Sequence, residues 1–122
     1  QTYGTDERKV RLVMDVEPIK LSLDDSLPCG LIINEITSNS LKHGFPDGRE
    51  GTIKIKFKKV ANKIVLTIAD DGIGLADGKK FNSDESFGFL LIETLASQLD
   101  AEMKINTENG FSYELTWEGK ME

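Results

Sequence analysis

Between Thr52 and Val60 the chain alternates strictly: Ile53, Ile55 and Phe57 fall on one side, Lys54, Lys56 and Lys58 on the other. Period 2 is the signature of a strand, and three lysines on one face mean that face is wet. The sheet containing this strand therefore has a dry face that something else must cover. The same alternation returns in Phe111, Tyr113, Leu115 and Trp117. After a short turn at Ala61-Asn62-Lys63, the run Ile64 to Ala69 is more thoroughly apolar and predicts a central strand. Val10 to Ser22 reads as one or two strands interrupted at Pro18, and Glu102 to Thr107 as another. Two helices are available as cover. The first enters through Leu23-Asp24-Asp25-Ser26-Leu27-Pro28, with the proline in its first turn, runs to about His43 and stops at Gly44, with Pro46 beyond. The second spans Phe87 to Leu99, with Leu90, Leu91, Thr94, Leu95 and Gln98 at helical spacing. Residues Ala76 to Glu85 read as a polar loop. Helices covering one face of a largely antiparallel sheet make an α+β fold, a two-layer α/β sandwich.

At 122 residues the chain suits one domain. Its net charge of -6 argues against a nucleic-acid duplex, which favours basic surfaces, but leaves a nucleotide open. Backbone N–H groups, a lysine and a magnesium ion can hold phosphates within an acidic protein. Cys29 is the only cysteine, so no intrachain disulfide forms, and its apolar neighbours predict a buried thiol. No apolar run approaches the roughly 18 residues of a membrane span, and no signal peptide is visible, a profile that reads as cytoplasmic. Because it starts at Gln1, the chain is expected to be a fragment of a longer protein, whose other parts could attach it to a membrane.

The first helix carries polar residues where apolar ones are expected. Glu35, Asn39 and Lys42 lie within roughly 60° of one another on a helical wheel, with His43 beside them. Leu31 and Ile32 precede them on the same side, while Ile33, Ile36 and Leu41 point elsewhere, so the helix should be largely buried. The stripe is either a solvated face or the lining of a pocket, and buried polar groups need partners. The residue types suit a magnesium polyphosphate. An Asn oxygen is a hard ligand for Mg²⁺, a Lys is a point charge for phosphate, and a Glu one turn earlier can accept a proton or orient a water. His43 either meets the ligand or simply favours the helix C-terminus.

The apolar strand then ends in Asp70-Asp71-Gly72-Ile73-Gly74. Asp-Gly is a common hairpin signal, but no alternating strand follows at once. An Asp at a buried strand end can accept a hydrogen bond from an exocyclic amine, and glycines beside it let backbone approach a flat base. Such an acceptor favours adenine over guanine, which presents a carbonyl there. Ser86-Phe87-Gly88-Phe89 opens the second helix with a glycine near N–H donors.

Together these residues resemble sensor histidine kinases. Leu31 to Phe45, with Asn34-Glu35, Asn39 and Lys42-His43-Gly44-Phe45, is similar to their N box; Asp70-x-Gly72-x-Gly74 resembles the first glycine box and Ser86 to Phe89 the second. The likeness covers nearly the whole chain. It implies the Bergerat-type ATP-binding fold, a mixed sheet backed by helices, shared with type II topoisomerases, Hsp90 chaperones and mismatch-repair ATPases. Under it, Asn39 would hold Mg²⁺, Lys42 would contact phosphates and Glu35 would take the position of the general base. His43 would lie beside the nucleotide, Asp70 would take the adenine amine, and Gly72 and Gly74 would flank the base. Gly88 would close on the phosphates, Ala76 to Glu85 would form a short lid, and Ser112 would assist Asp70 through water.

The chain departs from the family pattern at Ser86, where many relatives have Gly, and in its short lid, where only Phe81 could serve as a phenylalanine box. It also lacks a phosphoacceptor helix. The implied activity is transfer of the ATP γ-phosphoryl group to a histidine on a separate dimerisation domain, with a response regulator downstream. The fragment itself should be a monomer unable to autophosphorylate. The competing readings are a serine kinase of the anti-sigma type and a non-catalytic interaction module with a degenerate pocket.

Overall fold

The computed structural model describes residues 2–3, 10–45, 50–72, 86–108 and 110–119. Strands Thr2–Tyr3 (β1), Val10–Val16 (β2), Gly51–Val60 (β3), Lys63–Asp70 (β4), Glu102–Asn106 (β5) and Phe111–Glu118 (β6) form one sheet in the order β1-β2-β3-β4-β6-β5. Only the β2–β3 pair is parallel, so the sheet is mixed. A parallel pair needs a crossover, and helix Leu23–Asn39 (α1) supplies it. Helix Ser86–Gln98 (α2) lies between β4 and β5 in the chain.

The alternation read from the sequence is the burial pattern of the sheet. Ile53 and Ile55, then Ile64, Leu66 and Ile68, then Phe111, Tyr113, Leu115 and Trp117 are buried, while the residues between them are not. Register turns these into rows: Ile68 lies opposite Ile55 on one side and Tyr113 on the other, and Leu66 opposite Phe57 and Leu115. Cys29, Ile32 and Ile36 from α1 and Ile92, Leu95 and Ala96 from α2 complete the core. Each such aliphatic side chain contributes roughly 1.5–3 kcal/mol when withdrawn from water. This is the expected two-layer α/β sandwich.

Three local expectations need correction. The helix begins earlier than the proline suggested: Ser22 is its N-cap, with Oγ accepting from the Asp25 amide at 3.3 Å. A side-chain cap and two acidic residues in the first turn complement the free N–H groups, so entry does not require Pro28. Pro28 instead lies inside the helix and is buried, leaving the Asp24 carbonyl without its usual amide donor. β2 ends at Val16, well before Ser22; beyond it the Glu17 amide donates to the Phe57 carbonyl at 2.9 Å. Finally, Leu31 does not face the interior. With Leu23 and Leu27 it forms an i, i+4, i+8 row on the outer side of α1, and all three are more than half exposed.

A polar link crosses the core at the start of α1. The Trp117 indole N–H donates to Asp25 Oδ2 at 3.2 Å, tying the end of the last strand to the first turn of α1. Beside it, Cys29 is buried as expected. Burial pushes its thiol up from 9.0 to about 11, with the Asp25 charge adding to the effect. Above pH 9.0 the unfolded chain releases this proton while the folded chain keeps it, so stability must fall as pH rises towards about 11. Burial also raises the Tyr113 hydroxyl above its ordinary 10.0, and that group destabilises in the same direction at higher pH. Urea unfolding between about pH 9 and 10 should show a downward slope that Cys29→Ala largely removes.

Candidate functional site

The polar residues singled out in the sequence gather where α1 ends, β4 ends and α2 begins. α1 does not stop cleanly at Asn39 but continues as a π-helical turn, Ser40–Gly44, and Phe45 then drops into the core with no exposed surface. π turns are uncommon and often mark functional sites. Ser40, one helical turn after the buried Ile36, is itself buried, whereas Lys42 is exposed.

Ser40 fixes Asp70. Its hydroxyl donates to Asp70 Oδ2 at 2.6 Å, and the Gly72 amide donates to Asp70 Oδ1 at 2.9 Å. Asp70 is only 8% exposed, so these two bonds hold the carboxylate in one orientation at the end of the central strand. Each carboxylate oxygen has two lone pairs, which leaves acceptor capacity on both. Gly110 closes the other side. Its φ of +100° favours glycine, and a Cβ there would strike the Asp70 carbonyl oxygen. Asp71 extends the ladder past β4: its amide donates to the Thr52 carbonyl at 3.2 Å, and its Oδ1 accepts from the Thr52 amide at 2.8 Å.

A second cluster joins the two helices. Gly88 in α2 packs against Glu35, so closely that a Cβ on Gly88 would collide with the Glu35 carboxylate. The same Cβ would stand 3.8 Å from Asn39 Nδ2. That nitrogen is buried and has no hydrogen-bond partner among the described residues. The structure thus brings together Glu35, Asn39 and Gly88, and, through Ser40, Asp70 and Gly72.

It does not bring Ser112 to Asp70. In the β4–β6 register Ser112 lies opposite Ala69, whereas Asp70 lies opposite Phe111. Paired residues share a face and the next residue points to the other, so Ser112 sits on the open side of the sheet. Lys42 is in the right segment but projects to solvent. The His43 side chain, Gly74, and the expected lid from Ala76 to Glu85 with Phe81 lie outside the described residues.

Sequence reasoning missed Ser40 and Gly110. A serine on the buried side of a helix needs a partner, which was the available signal for Ser40. Asn-Gly before an alternating run was the signal for Gly110.

No group of three or more His, Cys, Asp or Glu able to hold a metal occurs among the described residues. The donors present still suit magnesium. The Glu35 carboxylate and the Asn39 Oδ1 are hard oxygens, and Mg²⁺ completes its shell with waters and phosphate oxygens rather than a protein cage.

Ser40→Ala should lower stability by about 1–3 kcal/mol, because it strips a donor from a buried carboxylate. Chemical denaturation measures this. A change within about 0.5 kcal/mol, the size of an ordinary surface substitution, would mean that Ser40 does not hold Asp70 in place.

Residues 24–120 match the sequence pattern described as histidine kinase-, DNA gyrase B- and HSP90-like ATPase. The sensor histidine kinase PdtaS of Mycobacterium tuberculosis is 31% identical over 75 residues, which is 60% of this chain and 15% of that protein. An anti-sigma F factor from Clostridium novyi is 29% identical over 80 residues, 57% of this chain and 56% of that one. In three dimensions, the histidine kinase domain of the Erythrobacter litoralis EL346 blue-light activated histidine kinase superposes with a TM-score of 0.82 at 18% identity, covering 89% of this chain and 51% of that one. The chain thus spans under two thirds of the length of each of these proteins.

Proposed function

The chain belongs to the histidine kinase-, DNA gyrase B- and HSP90-like ATPase family, and we propose that it holds Mg-ATP with the adenine at Asp70 and the phosphates at the α1–α2 junction. The observation that carries this reading is the fixed, buried Asp70 carboxylate, which keeps free lone pairs and whose partner Ser40 directly follows Asn39, whose Nδ2 has no partner among the described residues. An exocyclic amine satisfies Asp70, and guanine offers a carbonyl instead. Gly72, buried beside Asp70, leaves room for the base. Asn39 would hold the magnesium ion, which would neutralise charge on the phosphates. Lys42, long and exposed, reaches phosphate from the rim as a point charge, and Gly74 and His43 belong to the same reading.

In this function the γ-phosphoryl group passes to a histidine of a dimerisation domain outside this chain. The imidazole nitrogen forms the new bond to phosphorus as the bond to ADP breaks, and Glu35 orients or accepts the proton of the attacking group. The chain's own contribution is mainly positioning and charge neutralisation. A response regulator would receive the phosphoryl group next. The similarity to an anti-sigma F factor over 56% of that protein favours one second reading, transfer to a serine. Phosphate on histidine is lost in acid and phosphate on serine is retained, so labelled ATP and candidate acceptor proteins separate the two.

Calorimetric titration should give ATP binding that is tighter with Mg²⁺ and far tighter than GTP binding. Asp70→Asn should weaken ATP binding by about 1.5–3 kcal/mol, the scale of a lost charged hydrogen bond. Equal binding of ATP and GTP by the parent would remove adenine from Asp70, and no binding of either by the folded protein would favour a non-catalytic interaction module.

A further inference from the structure

We propose that Glu35 selectively disfavours a nucleoside triphosphate relative to a diphosphate in this pocket, because its carboxylate occupies the place against α2 that a terminal phosphate would take. The inference rests on the nucleotide reading above and extends it to the far end of the phosphate chain.

The place is defined by what surrounds it. Gly88 lies in the first turn of α2, a 13-residue helix, where N–H groups and the helix dipole favour an anion. It lacks the side chain that would fill the space, and the Glu35 carboxylate lies in that space instead. Asn39 Nδ2, a buried donor with no acceptor among the described residues, stands 3.8 Å from the position of the missing Cβ. A helix start, an open glycine and an unused donor are what phosphate oxygens require. The anion found there is a carboxylate, negatively charged and carrying acceptor oxygens as a phosphate does, standing where phosphate oxygens would go.

Two anions cannot share that volume. Glu35 is held by no hydrogen bond or ion pair among the described residues, so its flexible end can swing away at little cost. With the base at Asp70, the third phosphate would be the one to lie at Glu35: a diphosphate would leave the carboxylate in place, and a triphosphate would have to displace it or suffer its repulsion. Glu35 thus lowers affinity for the triphosphate selectively, and Asn39 gains an acceptor when the exchange occurs.

The test is titration of ATP and ADP, without divalent cation, into the parent, Glu35→Gln and Gly88→Ala. Metal is left out because a cation between carboxylate and phosphate would mask their repulsion. Glu35→Gln keeps the shape and removes the charge, so ATP should bind about tenfold more tightly while ADP changes less than about twofold. Gly88→Ala also drives Glu35 away, yet its methyl fills the vacated place, so ATP should bind no more tightly than to the parent. Equal factors for ATP and ADP in Glu35→Gln, or weaker ATP binding, overturn the role of Glu35 with the nucleotide site intact. If neither nucleotide binds the parent or either variant, the proposed function itself falls, and this inference with it.

Discussion

The Asp70 carboxylate needs donors because β4 carries it to the end of a row of buried apolar residues. Ile64, Leu66 and Ile68 precede it on the same face, and period 2 leaves the fourth residue no other direction. A charge in that row would be costly alone. The fold answers with Ser40 from the end of α1 and the Gly72 amide from the turn beyond β4. Those two bonds also place the site, because Ser40 follows Asn39 directly and Asn39 stands beside Glu35 and Gly88. One buried charge thereby links the central strand to the junction of both helices.

The opposite end of the sandwich uses the same device in weaker form. Asp25, in the first turn of α1, accepts from the Trp117 indole at the end of β6. α1 is therefore pinned by polar bonds at both ends, while Ile32 and Ile36 pack between them. The apolar contacts supply most of the stability, but they are not directional. The two polar links fix how far along the sheet the helix lies, and so where Asn39 and Glu35 come to rest.

How legible this was depended on whether a feature is local. β3, β4 and β6 were readable because alternation is a property of neighbouring residues, and their dry faces implied the helical layer. α2 was readable from its spacing. The start of α1 was misjudged because a proline pointed to the first turn, while the capping Ser22 lay further back. Ser112 was misjudged by one position, which in a strand is the difference between two faces. The approach of Gly88 to Glu35 could not be read from spacing, since it depends on how two helices far apart in the chain pack together. The motif resemblance supplied both residues, but the contact between them is tertiary.

The π turn at Ser40–Gly44 carries an implication for how this chain can change over evolutionary time. Such a turn is an α-helix with one residue inserted. Deleting one residue from it would restore a regular helix and rotate everything beyond by about 100°. Phe45, now wholly enclosed, would swing out of the core, and the chain leading into β3 would enter out of step. Single substitutions within the turn can be absorbed by side chains, but a change of length cannot. This turn should therefore keep its number of residues even where their identities drift.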